Sequence, residues 1–175
     1  MSSLDRMEDL HMHGVPIELR EMIGRWKFWQ KNHVESGLVV AAPTTPSTHA
    51  DASTYDFNVN ISAGMITIGN HRDEPTAAGD FDVSHGDTSP IAATNCDLTY
   101  AIVAKEVIST HAITYVAVAG TVAHVGESVA PTAAVIQAAV GAGNNWVRIG
   151  TTTVHRSGAA TMTQTYSNTA KAACP

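Results

Sequence analysis

Two apolar runs decide the fold: Leu98-Thr99-Tyr100-Ala101-Ile102-Val103-Ala104 and His111-Ala112-Ile113-Thr114-Tyr115-Val116-Ala117-Val118-Ala119. The connection between them carries Lys105-Glu106 and Ser109-Thr110. Short runs rich in Val, Ile and Tyr fit strands better than helices. Alternation sets Leu98, Tyr100 and Ile102 on one face of the first run, and Ile113, Tyr115 and Ala117 on one face of the second. The opposite faces hold Ala101, Val103, Val116 and Val118, so both sides are apolar. A strand of that kind lies at the centre of a sandwich or barrel, or is covered by a neighbouring subunit. Tyr100, Ile102, Tyr115, Val116 and Val118 are therefore the candidate oligomer-interface residues.

Toward the C-terminus, Pro131-Thr132 opens a short helix that ends at Val140. Ala133, Ile136 and Val140 line one side, and Gly141-Ala142-Gly143 stops it. Trp146 to Ile149 reads as a strand that breaks at Gly150 and resumes as Thr151 to His155. The tail alternates again, with Met162, Gln164 and Tyr166 opposite Thr161, Thr163 and Thr165.

Toward the N-terminus, Tyr55, Phe57, Val59 and Ile61 share a face opposite Asp56, Asn58 and Asn60. Ser62-Ala63-Gly64 then reads as a turn, with Met65 to Ile68 returning as the hairpin partner. A polar loop follows, and Phe81 and Val83 alternate with Asp80, Asp82 and Ser84 in another short strand before His85-Gly86-Asp87. Residues 38–42 form a short strand or extended link, and Pro43-Thr44-Thr45-Pro46-Ser47-Thr48 is a linker. From Pro16 to Ser36-Gly37 the spacing of Leu19, Met22, Ile23, Trp26 and Trp29 predicts an amphipathic helix. Glu18 and Glu21 lie near its start, and Arg25, Lys27 and Lys31 lie toward its end.

The fold expected is mainly β: a β-sandwich or barrel-like domain over 55–175, a Pro/Thr linker over 38–54, and an N-terminal helical arm over 1–37. One further short helix falls near 131–140. The groove for the Trp26 and Trp29 stripe belongs either to the chain's own β domain or to a partner.

Only 15% of the residues are charged, against an average of about 25%. A small-residue β protein explains this, and so does a surface covered in an assembly. The net charge is −6, and residues 37–175 hold five basic against ten acidic side chains. That body is a poor match for nucleic acid. Neither a bilayer-spanning run nor a signal peptide is evident, so neither membrane nor export is expected. Cys96 and Cys174 lack redox or metal spacing and read as free thiols.

The nine histidines include His11-x-His13, His71 with Asp73 and Glu74, and His85 with Asp87. None forms a recognised ligand frame, so no metal or other cofactor is expected. Asp73-Glu74, Asp80-x-Asp82 and Asp87 read as solvated loop charge rather than a calcium loop. The Gly-x-Ser-x-Gly nucleophile elbow is missing, and Gly64-x-x-x-x-Gly69 lacks the lysine of a phosphate loop. No catalytic residue is assigned, and the expectation is a non-enzyme.

From Phe57 to Arg156 the order of features resembles small virion structural proteins of tailed bacteriophages. The correspondence lies in Ser62-Ala63-Gly64-Met65-Ile66-Thr67-Ile68, Tyr100-Ala101-Ile102-Val103, Val118-Ala119-Gly120, the helix after Pro131-Thr132-Ala133, and Val147-Arg148-Ile149-Gly150 followed by Thr152-x-Val154. The resemblance implies a non-enzymatic, β-rich and trimeric protein of the virion, made in the host cytoplasm. The expected function is capsid decoration or cementing, with the major capsid protein as partner and Leu19, Met22, Ile23, Trp26 and Trp29 as the capsid-binding stripe. A head or tail fibre or spike component is the alternative within that group. A β-sandwich carbohydrate-binding module or hydrolase is the alternative outside it.

Overall fold

Alternating and β-branched sequence makes most of the described chain strand. The computed structural model describes residues 32–44, 54–69, 71–88, 91, 93–158 and 162–168, with the backbone alone described at 54–56, 72–73, 84–88 and 162. The strands are β1 (His33–Ser36), β2 (Val40–Ala41), β3 (Thr54–Ile61), β4 (Gly64–Ile68), β5 (His71–Thr76), β6 (Gly79–Thr88), β7 (Cys96–Val107), β8 (Ala112–Ala119), β9 (Ala123–His124), β10 (Trp146–Arg156) and β11 (Met162–Asn168). The helix α1 spans Ala133–Val140. Three antiparallel sheets result, in the orders β1-β4-β5, β2-β3-β6 and β11-β10-β7-β8, with β9 also paired to β7. The fold is mainly β and sandwich-like: β1 and β2 pack on β10, and β6 packs on β8.

β7 is the centre of the molecule, as its two apolar faces require. Leu98, Tyr100, Ile102 and Ala104 enter the main core with Val34, Leu38, Val40, Phe57, Val59, Ile61, Ile66, Ile68, Ile149 and Val154. Ala101 and Val103 point the other way, where Val118, Ile136 and Val140 bury them with help from Val116 and Trp146. The cover on the second face is thus α1 of the same chain. Three of the five candidate oligomer-interface residues are thus buried within the chain itself. Tyr100, Ile102 and Val118 are 6%, 0% and 5% exposed within the chain, while Tyr115 and Val116 are partly buried against the two cores. Apolar area at Tyr100, Ile102 and Val118 is already removed from water within the chain, whereas Tyr115 and Val116 keep part of theirs exposed.

The helix forms where its caps place it. Thr132 Oγ1 accepts the Val135 N–H at 3.4 Å, and Gly141, at φ +93°, donates its N–H to the Gln137 carbonyl. Ile136 and Val140 face inward as the spacing predicts, whereas Ala133 is exposed and Pro131 takes the third buried place. Gln137 then ties the helix to β10, accepting from Trp146 Nε1 at 2.8 Å.

Several expectations are overturned. His33–Ser36, read as the end of the arm helix, is a strand paired to β4. The β body therefore starts by residue 33; residues 38–42, read as a short strand or extended link, carry β2, and Leu38 and Val40 are core residues at 2% and 1% exposure. The Leu19 to Trp29 stripe lies outside the described residues. Met65 to Ile68 is not the hairpin partner of β3, because β4 pairs with β1 and β5, and β3 pairs with β2 and β6. The segment read as a polar loop contains β5, whose Pro75 is tolerated because β5 is an edge strand. β6 runs on through His85-Gly86-Asp87. Gly150 does not break β10: the ladder to β7 bulges between Arg148 and Gly150 and continues to Arg156. A Cβ at Gly150 would stand 2.7 Å from Val40 Cγ2, so glycine is what lets β2 close on β10.

Candidate functional site

Counting by two from Leu98 along β7 brings the inward face to Glu106, a carboxylate 1% exposed at the end of the main core. Burying such a charge is costly unless it is paired. Asn145 Nδ2 donates to its Oε2 at 2.8 Å. Its Oε1 faces two imidazoles, His111 Nδ1 at 3.2 Å and His71 Nε2 at 3.7 Å. Burial by itself pushes the Glu106 carboxyl up. The hydrogen bonds from Asn145 and His111, and the charges of His71 and His111, outweigh burial and hold it below the ordinary carboxylate value.

Each of these groups is fixed by local backbone. His71 opens β5 just after Gly69, which has φ +57°. A Cβ on Gly69 would stand 1.6 Å from Glu106 Oε2 and 2.5 Å from Asn145 Nδ2, so a side chain here would have to displace the carboxylate and its amide partner. The Gly69 N–H is held by Asn32 Oδ1 at 2.9 Å, and Asn32 Nδ2 donates to the Trp146 carbonyl at 3.2 Å. His111 adopts φ +54°, uncommon outside glycine, and its N–H donates to the Val107 carbonyl at 2.7 Å. That conformation turns its ring back over the end of β7. The Glu106 N–H donates to the Asn145 carbonyl at 3.0 Å, which locks the carboxylate and its amide partner together.

The outer nitrogen of His71, Nδ1, lies 3.4 Å from Glu74 Oε2. Its inner nitrogen, Nε2, is buried and makes no hydrogen bond among the described residues. The ligand atoms of His71, Glu106 and His111 all lie within 4.8 Å of one another. Beside them, residues 74–77, the start of β8 and Tyr115 line a cavity of about 360 Å³. Two imidazoles and one carboxylate form a donor set suited to a divalent transition metal.

Of this cluster, local spacing in the sequence points to His71 alone and groups it with Asp73 and Glu74. The structure keeps Glu74 beside His71, does not describe the Asp73 side chain, and adds Glu106 and His111 from a distant part of the chain. Lys105-Glu106 looks like connecting chain, yet the period-two count from Leu98 already puts an acid on a core face. That is the signal that could have found it. Asp80, read as solvated loop charge, accepts from Thr44 N at 3.0 Å, Thr44 Oγ1 at 2.6 Å and Asn60 Nδ2 at 2.9 Å. His11 and His13 fall outside the described residues, as do the arm residues Leu19, Met22, Ile23, Trp26 and Trp29.

A second buried acid, Asp97, accepts from His155 Nδ1 at 2.7 Å and from the Gly126 N–H at 2.8 Å. It joins β10 and the 125–127 turn to β7. Its oxygens are used within the fold, whereas His71 Nε2 is not. Comparison of the chain with family models, with curated proteins and with solved structures finds no match.

Proposed function

We propose that this chain is a non-enzymatic structural protein of a virion, a capsid decoration or cement protein that bridges subunits of the major capsid protein. In this reading the β body is the rigid part and the segment before it is the reaching part. The observation that carries the proposal is the closure of the body by its own residues. Both faces of β7 are covered within the chain, by the main core on one side and α1 on the other. The apolar stripe Leu19, Met22, Ile23, Trp26 and Trp29 then has a capsid groove as its proposed place, with tryptophans as anchors. Asn32 supports the geometry, because its bonds to Gly69 and Trp146 fix the point at which that segment joins the body.

Multiple copies around a capsid symmetry axis, a trimer in the simplest case, would repeat a modest contact many times and make it effectively permanent. The test is co-sedimentation of the full chain, and of a chain lacking residues 1–31, with shells of the major capsid protein encoded in the same genome. The full chain should pellet with the shells and raise their melting temperature, and the truncated chain should do neither. Equal binding by the two would remove the role assigned to the stripe. A monomer indifferent to shells, with affinity for an oligosaccharide instead, would favour the carbohydrate-binding alternative.

A further inference from the structure

We propose that His71, Glu106 and His111 bind a divalent transition-metal ion, with Zn²⁺ as the representative, that ties the β1-β4-β5 sheet to the five-stranded sheet. This goes beyond the assembly role above and stands whether or not that role holds.

Geometry comes first. Zinc ligand bonds of about 2.0–2.2 Å in a tetrahedral shell put ligand atoms about 3.3–3.5 Å apart. Glu106 Oε1 already lies 3.2 Å from His111 Nδ1 and 3.7 Å from His71 Nε2. The two nitrogens stand no more than 4.8 Å apart. Small imidazole rotations bring all three atoms onto one ion. They come from β5, the end of β7 and the β7–β8 turn, so the ion would close one end of the sandwich.

Chemistry comes second. Glu74 beside Nδ1 favours the neutral tautomer with its proton on that outer nitrogen, in which the Nε2 lone pair faces inward. Nε2 is buried, faces a carboxylate and makes no hydrogen bond among the described residues. Were Nε2 protonated instead, 3.7 Å to Glu106 is too long for a hydrogen bond. A cation between the groups resolves both arrangements. Asn145 occupies the other Glu106 oxygen, leaving Oε1 directed at the imidazoles. Glu74 and Asn145 thus orient the ligands in the way outer-sphere partners of metal sites do. The fourth position falls to water.

The test uses the full chain after dialysis against a chelator. Zn²⁺ titration by calorimetry should give one equivalent per chain, Co²⁺ should develop the visible bands of a low-coordinate site, and Zn²⁺ should raise the melting temperature by several degrees. His111→Ala, at an exposed turn, and His71→Ala should each weaken that equivalent at least about tenfold and abolish the thermal shift. The double variant His11→Ala/His13→Ala should leave both unchanged. If the wild type takes up no Zn²⁺, or if its uptake survives His111→Ala and is lost with His11→Ala/His13→Ala, the proposal is overturned. Should Glu106→Gln misfold, His111→Ala still decides.

Discussion

Gly37 and Gly64 meet backbone to backbone. A Cβ on Gly37 would stand 2.0 Å from the Ala63 carbonyl oxygen, and one on Gly64 would stand 2.3 Å from the Ser36 carbonyl oxygen. Here a single antiparallel ribbon, residues 33–41 against 60–67, kinks and divides. Val34 pairs with Ile66 in one sheet and Val40 with Ile61 in the next. Gly37 is also left-handed at φ +62°. Gly64→Ala is expected to cost about 3 kcal/mol or more, because the obstructing atoms are backbone and cannot rotate away. Gly37→Ala adds about 1–2 kcal/mol of left-handed strain to a similar clash. Urea unfolding midpoints measure both, and a change below about 1 kcal/mol for Gly64→Ala would show that the crossing is looser than described.

The helix that covers β7 supplies a second expectation. Ile136 is 2% exposed against Ala101, Val103 and Val118, while Val135, one residue earlier, is 47% exposed. Ile136→Ala should destabilise by about 2–4 kcal/mol, transfer and cavity terms together. Val135→Ala should fall within about 0.5 kcal/mol of wild type. Similar losses from the two would mean that α1 does not pack in this orientation.

How much of this was legible follows from where the signal resides. The two-faced burial of β7 is written in Leu98 to Ala104 itself, and α1 in Thr132 and Gly141, because periodicity and caps are local properties. The division of the ribbon is not local. Gly64 looks like any turn glycine, and only the approach of Gly37 from far back in the sequence shows that it is a crossing point. β1 was hidden because His33-Val34-Glu35-Ser36 follows a helical pattern without a break, and pairing with Thr67 and Ile66 overrides the local preference. β5 was hidden by Pro75 and its charges, which an edge strand accepts. The cluster of His71, Glu106 and His111 joins residues far apart in the chain, and no spacing rule reaches that far.

Alkaline pH offers a test of the seam between β6 and β8. Phe81 and Tyr115 meet edge to face, with ring centroids 6.0 Å apart. Burial pushes the Tyr115 phenol up from its ordinary value, against a smaller lowering by a hydrogen bond with Thr76, and burial raises Tyr166 as well. A phenol whose folded pKa is raised holds its proton longer in the native state than in the unfolded one. Its stabilisation is complete below the unfolded value of about 10 and is lost as pH rises through the folded value. Stability should therefore fall with pH above about 10, and Tyr115→Phe should flatten the fall. Absorbance titration of phenolate should show a late-ionising class that shrinks in the variant. An unchanged slope would place Tyr115 in water.

Asp97 is the acid whose removal should propagate furthest along the strand. It is 7% exposed, takes the His155 imidazole on Oδ1 and the Gly126 N–H on Oδ2, and sits where β7 pairs with both β9 and β10. Asp97→Ala strands two donors at once, one on a strand and one in a turn, and should cost about 2–4 kcal/mol. His155→Ala removes a half-buried partner while the Gly126 bond persists, so its cost should be smaller, about 1 kcal/mol. Amide exchange separates the two effects. The Gly126 amide should exchange much faster in Asp97→Ala and at nearly the wild-type rate in His155→Ala, because only the former loses the oxygen that holds the turn. If Gly126 exchanged equally fast in both variants, the carboxylate would depend on His155 for its position, and the turn would be held through the imidazole rather than by Asp97 alone.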